Sequence, residues 1–240
     1  MGGLYARPME QTQTRPGLVT LDAYLRREEA SDLRHEFHAL PGDPNLGEAL
    51  EMTGATRRHN LVVTNLSGLL WSAFRGGRCR VMANDMRVFA PGDHSTNTGE
   101  DSRRGHGHGD RLMYPDVLVQ CGEGRFADHD RPSIKETTLL NPVAVFEVLS
   151  DSTELYDRTG KFAAYRNIES LQEYVLVHQD RPVVETFHRQ PGGGWAIAAA
   201  TGSPHGEDTE ARLGSLGLTL ALADLYEGID LEEPPARDPG

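Results

Sequence analysis

The order of apolar and polar positions along the chain predicts alternating helices and short strands. A helix is predicted over residues 57–75, because apolar side chains recur there at steps of four, three and four, as on one face of an amphipathic helix. These side chains are Val62, Leu66, Leu69 and Ala73. A shorter helix is predicted to follow Thr20 as its N-cap, and further helices over 153–168 and 220–226.

Short apolar runs bounded by turn residues predict the strands. They cover residues 48–53, 79–82, 86–89, 114–119, 143–149, 173–177, 183–187 and 195–200. The two runs at 173–177 and 183–187 are predicted to form a hairpin. Helices mixed with strands in this order indicate an α/β (α+β mixed) fold, with a central mixed β-sheet flanked by helices.

The ends and one internal segment lack an apolar period. Residues 1–17 are predicted to be a flexible N-terminus, 18–230 a single domain, and 231–240 a disordered acidic tail. Within the domain, residues 91–110 are rich in Gly, Asp, Ser, Asn and His, which predicts a mobile insertion.

Composition narrows the class of protein. Acidic residues outnumber basic ones 36 to 24, and the formal charge of -12 excludes a protein that coats nucleic acid through a broad basic surface. No apolar run of about eighteen residues is present, so we expect no membrane span and a cytoplasmic protein. Cys79 and Cys121 are expected to be reduced thiols packed in the core.

Candidate chemistry begins with an acid inside an apolar strand. Glu147 is flanked by the apolar run 143–149, where an ionised carboxylate is costly unless a partner pairs with it. Asp116 lies in a second such run, and Lys161 follows Glu147 by fourteen residues. Simpler readings exist for two of them. Asp116 suits a turn that starts a strand, and Lys161 suits a surface ion pair with Asp157, four residues earlier.

These residue types fit metal-dependent phosphodiester hydrolysis. Hard cations such as Mg²⁺ or Mn²⁺ prefer oxygen ligands, which the carboxylates of Asp116 and Glu147 and the backbone carbonyl of Val148 would supply. Lys161, one of only two lysines in the chain, would then orient the attacking water and stabilise charge in the transition state.

The start of the 57–75 helix carries Arg57, Arg58 and His59, where cations oppose the helix dipole. Two explanations stay open. Either these side chains are solvated, or a phosphate or an acidic partner lies nearby.

Several ordered blocks of the sequence resemble the Uma-two family of bacterial domains, which belongs to the PD-(D/E)XK restriction-endonuclease-like superfamily. The blocks are Arg34-His-Glu-Phe, Gly47-Glu-Ala-Leu-Glu-Met, Arg58-His-Asn, Asp85-Met-Arg-Val, Tyr114-Pro-Asp-Val, Val145-Phe-Glu-Val-Leu-Ser, Tyr156-Asp-Arg-Thr-Gly-Lys and Leu222-Ala-Asp-Leu-Tyr. The resemblance implies a restriction-endonuclease-like core in which Asp116 and Glu147 are the two motif acids. Leu149 stands where the superfamily pattern has lysine, and the resemblance implies that Lys161 supplies the amine instead.

The resemblance also implies an additional acid near the metal, for which Glu36 and Glu48 are the alternatives. The implied activity is a Mg²⁺-dependent endonuclease acting on DNA. A homodimer would provide two sites for two strands. The competing hypothesis is a catalytically inactive nucleic-acid-binding or structural module with the same fold, because a superfamily indicates a fold more firmly than an activity.

Overall fold

The computed structural model describes residues 17–52, 54–92, 109–127, 136–202 and 209–231. The flexible N-terminus, the acidic tail and the insertion predicted at 91–110 lie almost wholly outside these ranges, so those three expectations stay predictions. No helix within the described ranges is long and apolar enough to cross a membrane.

The strands are β1 (Leu18–Thr20), β2 (His35–Leu40), β3 (Asp43–Glu51), β4 (Cys79–Ala83), β5 (Arg87–Ala90), β6 (Arg111–Met113), β7 (Val117–Cys121), β8 (Thr138–Leu139), β9 (Ala144–Leu149), β10 (Glu173–His178), β11 (Val183–Arg189), β12 (Trp195–Thr201), β13 (Glu210–Leu213) and β14 (Leu218–Ala221). The helices are α1 (Leu21–Ala30), α2 (Arg57–Phe74), α3 (residues 154–165) and α4 (Leu222–Leu225). Helix α3 is built from three consecutive pieces, namely Glu154–Tyr156, a π-helical turn Asp157–Lys161, and Phe162–Tyr165.

The strands form two six-stranded sheets and a hairpin. The central sheet has the order β12-β11-β10-β9-β7-β4, and the N-terminal sheet has the order β1-β3-β2-β6-β5-β8. Strand β9 pairs with β10 in parallel and with β7 antiparallel. The predicted mixed sheet is therefore present, but the second sheet was not foreseen, because sequence patterns do not reveal which strands pair.

The central sheet is covered on both faces, which explains why every residue of β9 is buried. Phe146 and Val148 belong to the core that includes Val62 and Leu66 of α2. The alternate positions of β9 face α3, where Val145 and Leu149 belong to the core that includes Tyr165. Glu147 shares this second face through the two-residue period of a strand.

Most predicted elements are present, with shifted ends. The side chain of Thr20 accepts a hydrogen bond from Ala23 N at 3.2 Å and caps α1, and Thr56 caps α2 in the same way. Strand β3 starts at Asp43, five residues before the predicted start, because the turn is confined to 41–42, with Gly42 at a φ of +83°. Helix α4 starts two residues late, since Leu218–Ala221 pairs with β13.

The expectation for the two cysteines is wrong in the structure. Cys79 on β4 lies directly opposite Cys121 on β7 in the antiparallel ladder, and the two sulfurs form a disulfide. Forty-two residues separate them in sequence, and only the pairing of the strands brings them together.

Candidate active site

A cavity of about 450 Å³ opens where β7 and β9 of the central sheet meet α3 and the N-terminal sheet. Asp116, Glu147, Val148 and Lys161 all line it, as does Glu36 of β2. The structure therefore brings together the residues that the sequence offered as catalytic or metal-binding.

Glu147 has a donor for each carboxylate oxygen. Its side chain is 3 % exposed, Oε2 accepts a hydrogen bond from Lys161 Nζ at 2.9 Å, and Oε1 accepts one from the Tyr165 hydroxyl at 3.1 Å. An acid can occupy this apolar strand because both of its oxygens are hydrogen-bonded and a cation lies beside it.

The π-helical turn of α3 presents Lys161 to the site. Asp157 and Lys161 are the first and last residues of this turn, and both side chains are buried. Asp157 Oδ1 lies 3.2 Å from Lys161 Nζ, and Lys161 also approaches Glu147, so the pair is not the solvated surface pair that its spacing suggested. Single π-helical turns inside α-helices occur frequently at functional sites.

Gly160 within this turn makes room for an aromatic ring. A Cβ at this position would lie 2.6 Å from ring carbons of Tyr156, which no side chain could tolerate without movement of the ring. The Tyr156 hydroxyl donates to Glu36 Oε2 at 3.0 Å, and it lies 2.9 Å from His38 Nε2. Arg111 donates to the Gly160 carbonyl at 2.8 Å and holds the turn to β6.

Glu36, rather than Glu48, is the additional acid that the structure places in the cavity. Glu36 Oε1 lies 3.7 Å from Lys161 Nζ, and the Glu36 side chain is 6 % exposed. Glu48 is exposed on β3, opposite His38, and does not line the cavity. Both acids lie on one face of the sheet, but Glu36 is paired with Leu50, which also lines the cavity, whereas Glu48 is paired with His38, two residues farther along the ladder.

Asp116 directly precedes Val117, the first residue of β7, at the end of the ladder between β7 and β9. Its Oδ2 accepts a hydrogen bond from the backbone N–H of Val148 at 2.7 Å and lies 3.2 Å from His59 Nε2. His59 on the first turn of α2 thus has an acidic partner, which was one of the two explanations for the cations at this helix start.

The charges of the site are coupled. Burial raises the pKa of Glu147 well above its ordinary value, because Lys161 offsets the loss of water only in part. Burial also raises the pKa of Asp157. For Lys161, burial opposes the charged form, but the carboxylates of Glu147, Glu36 and Asp157 outweigh it and hold the pKa of the amine well above its usual range.

Glu36 shows the opposite balance. Burial would raise the pKa of its carboxyl group, but Lys161, His38 and the Tyr156 hydroxyl together lower it below its ordinary value. Of the three acids beside Lys161, Glu36 is therefore the one whose pKa is lowered, whereas those of Glu147 and Asp157 are raised.

A buried hydrogen-bond network connects the backbone segment that carries Glu36 with the segment that carries Asp116. Glu28 of α1 is 9 % exposed and accepts hydrogen bonds from the His35 ring at 2.8 Å and from the Tyr114 hydroxyl at 2.8 Å. His35 directly precedes Glu36, and Tyr114 lies two residues before Asp116. One carboxylate therefore holds both backbone segments that carry acids of the site.

The donor chemistry fits a hard divalent cation. Asp116 and Glu147 offer carboxylate oxygens, and Val148 lines the same cavity. The single amine of Lys161 lies beside three acids, Glu147, Glu36 and Asp157, so the carboxylates outnumber the cation. Asp157 Oδ1 is buried and has no hydrogen bond of acceptable geometry. Within the described ranges, no three His, Cys, Asp or Glu side chains are already gathered as a complete ligand set.

Three participants, Asp157, Tyr156 and Tyr165, were missed or misread in the sequence, and a fourth, His59, had a signal there. Asp157 looked like a surface partner of Lys161, because helical spacing does not show that a strand covers that face. Tyr165 and Tyr156 carried no signal, since tyrosines at helical spacing usually serve packing. His59 was the detectable one, through the unfavourable position of cations at a helix start.

Comparison with known proteins identifies the family of this chain. Residues 21–223 match the model of the Uma2 family, described as "Putative restriction endonuclease". Two curated relatives are uncharacterized proteins of Synechocystis sp. (strain ATCC 27184 / PCC 6803 / Kazusa). One, slr1290, is 30% identical over 87% of this chain and 91% of its own length, and the other, sll1609, is 29% identical over 77% and 89%.

A solved structure resembles the fold. It is a putative nuclease belonging to DUF820 from Anabaena variabilis ATCC 29413, with a TM-score of 0.59 and 17% identity, and the match covers 87% of this chain and 97% of that one. The predicted α/β fold with a restriction-endonuclease-like core is confirmed. With the family model spanning most of the chain, this protein belongs to the Uma2 family of putative restriction endonucleases.

Proposed function

We propose that this protein is a metal-dependent endonuclease that hydrolyses DNA phosphodiester bonds by attack of a metal-activated water. One observation carries the proposal. The Lys161 amine lies 2.9 Å from Glu147 at the floor of a cavity that Asp116 also lines. A cation and two carboxylates that line one cavity support phosphodiester hydrolysis.

The chain would hold a Mg²⁺ or Mn²⁺ ion with Asp116, Glu147 and the backbone carbonyl of Val148. When bound, such an ion neutralises charge on the phosphate oxygens and lowers the pKa of the attacking water. The hydrogen bond from Val148 N–H to Asp116 fixes the orientation of that carboxylate across the ladder. Glu147 and Lys161 are buried at the floor of the cavity, which strengthens the electrostatic interactions between them.

Lys161 would orient the water and stabilise charge on the phosphate, as a permanent cation. Three carboxylates hold the pKa of its amine above the usual range, so it keeps its proton near neutral pH. This favours charge stabilisation over proton abstraction. Glu36 would keep the amine directed into the cavity from the side of β2.

A second candidate function is a module that keeps the fold and does not cut. Both Glu147 oxygens already have protein donors, in Lys161 and Tyr165, and the chain carries a net charge of -12. Such a module would bind a nucleic acid or a protein without hydrolysing it.

Plasmid cleavage separates the two functions. Purified protein is incubated with supercoiled plasmid or single-stranded DNA and Mg²⁺ or Mn²⁺, beside an EDTA control and the variants Asp116→Asn and Lys161→Met. Glu48→Gln is the matched control, since it removes an exposed acid outside the cavity. The nuclease is supported if the native protein and Glu48→Gln cleave DNA, whereas the EDTA sample, Asp116→Asn and Lys161→Met do not. The absence of cleavage by the native protein, or equal cleavage by all variants, supports the inactive module.

We also propose a homodimer, because a two-fold symmetric dimer is the commonest assembly of soluble oligomeric proteins. Light scattering during gel filtration should give about twice the mass of 26.4 kDa. A monomer mass at micromolar concentration would contradict the dimer.

A further inference from the structure

We infer that the cavity takes a single-stranded segment of about one or two nucleotides, and that duplex DNA is a poor substrate. This rests on the proposed function, because it concerns what the same site cleaves. It is carried by three features of the cavity: the depth of the reactive groups, the small number of cations among the lining residues that the structure describes, and the character of the walls.

The reactive groups lie below the surface. Glu147 is 2 % exposed, Glu36 is 5 % exposed and Lys161 is 7 % exposed. Among the candidate residues that line the cavity, only Asp116 is appreciably accessible. A phosphate in a duplex that rests on the protein surface would stop short of the Lys161 amine. A strand with unpaired bases can enter the cavity, because it bends freely and brings one phosphate to the floor.

The cavity has few cations to hold a long backbone. Among the described residues that line it, Lys161 and His59 are the only basic side chains, and no arginine is present. Lys161 contacts three carboxylates and His59 contacts Asp116, so their charge is already largely matched. Specific duplex-binding interfaces are, in contrast, strongly positive and bury about 1,000–2,500 Å² of protein surface.

The walls suit a base and a sugar better than a row of phosphates. Asn84 and Ser152 supply uncharged donors and acceptors, and Leu50 exposes an apolar surface. Asn84 also adopts a left-handed conformation at a φ of +55°, which Asn tolerates better than most residues and which recurs at ligand sites. A base packed on Leu50 and hydrogen-bonded at its edge would use each of these features.

The first experiment compares substrate length and strandedness. A labelled tetranucleotide, a single strand of about thirty residues and the matching duplex are cleaved with Mn²⁺ and the intact protein. We expect kcat/KM to agree within about threefold for the two single strands, and to be at least about tenfold lower for the duplex. With about two phosphates contacted, a rise from 50 to 200 mM salt should reduce kcat/KM about sevenfold at most.

The second experiment tests the wall with matched leucines. Leu50 lines the cavity and is 41% exposed, whereas Leu155 is 78% exposed and does not line it. We expect Leu50→Ala to raise KM for the tetranucleotide about fivefold with kcat unchanged, through loss of apolar contact. Leu155→Ala should leave both constants unchanged. Binding of the labelled tetranucleotide in Ca²⁺, followed by fluorescence anisotropy, should weaken in the same variant only.

The outcomes separate this inference from the proposed function. Faster cleavage of the duplex, or a salt effect of 10³ or more as for six to ten phosphate contacts, would overturn the inference and leave the nuclease intact. An unchanged KM for Leu50→Ala would overturn the contact between the base and the wall. If no substrate is cleaved or bound, both the inference and the nuclease fail.

Discussion

Replacing Lys161 with methionine should destabilise the protein in a pH-dependent way. Met is close in shape but carries no charge, so Glu147, Asp157 and Glu36 would lose their shared cation inside the protein. Removing one partner of a buried ion pair typically costs about 3–5 kcal/mol, since it leaves an unpaired buried charge. We expect a loss in this range at neutral pH, measured by urea denaturation with circular dichroism.

The pH dependence gives the sharper test. The pKa of Glu147 is raised in the folded state, above an ordinary value of 4.5, so the folded state binds its proton more tightly than the unfolded state. The stability of the Lys161→Met variant should therefore rise as the pH falls from about 8 toward 5 and level off below the unfolded pKa. The native protein should change less, because Lys161 stays charged throughout that window.

A matched double variant checks the cause. Lys161→Met combined with Glu147→Gln removes the charge of both partners, and it should recover about half or more of the lost stability. The reasoning is refuted if Lys161→Met costs less than about 1 kcal/mol, or if its deficit is the same at every pH.

Three further changes test other parts of the structure. Gly160→Ala should displace the ring of Tyr156 and cost about 1–3 kcal/mol by overpacking, with lower cleavage; an unchanged melting temperature would contradict it. Tyr114→Phe removes a buried hydrogen bond to the carboxylate of α1 and should cost about 1–2 kcal/mol in urea denaturation, whereas an unmoved midpoint would exclude a structural role. Cys121→Ser should cost about 4 kcal/mol by loss of the bond to Cys79, and thiol titration that finds two free cysteines in the unreduced native protein would refute the disulfide.

The sequence predicted local elements well, because they depend on local patterns. The predicted ends of helix α2 agree with the observed ends to within one residue, because its amphipathic period depends on residues close in sequence. Glu147 was identified because a charge in an apolar strand conflicts with its neighbours. Both signals come from contacts between residues close in sequence.

Features that depend on distant contacts could not be predicted in the same way. The choice between Glu36 and Glu48 needed the pairing of β2 with β3, and the disulfide of Cys79 needed the pairing of β4 with β7. The burial of Asp157 needed a strand packed on its helix face. In each case the deciding contacts join residues far apart in sequence, and such contacts produce no periodic pattern of apolar residues along the chain.

The π-helical turn has a consequence for how such proteins are recognised. Leu149 occupies the place of the motif lysine and is 3 % exposed in the apolar core, while Lys161 brings its amine to Glu147 from another element. Under the proposed function, the amine therefore comes from a different element and from a different place in the sequence. Pattern searches that require a lysine two residues after the acid will overlook relatives built this way. A search for an amine within hydrogen-bonding reach of a buried strand carboxylate would find them, whatever the spacing between the two residues.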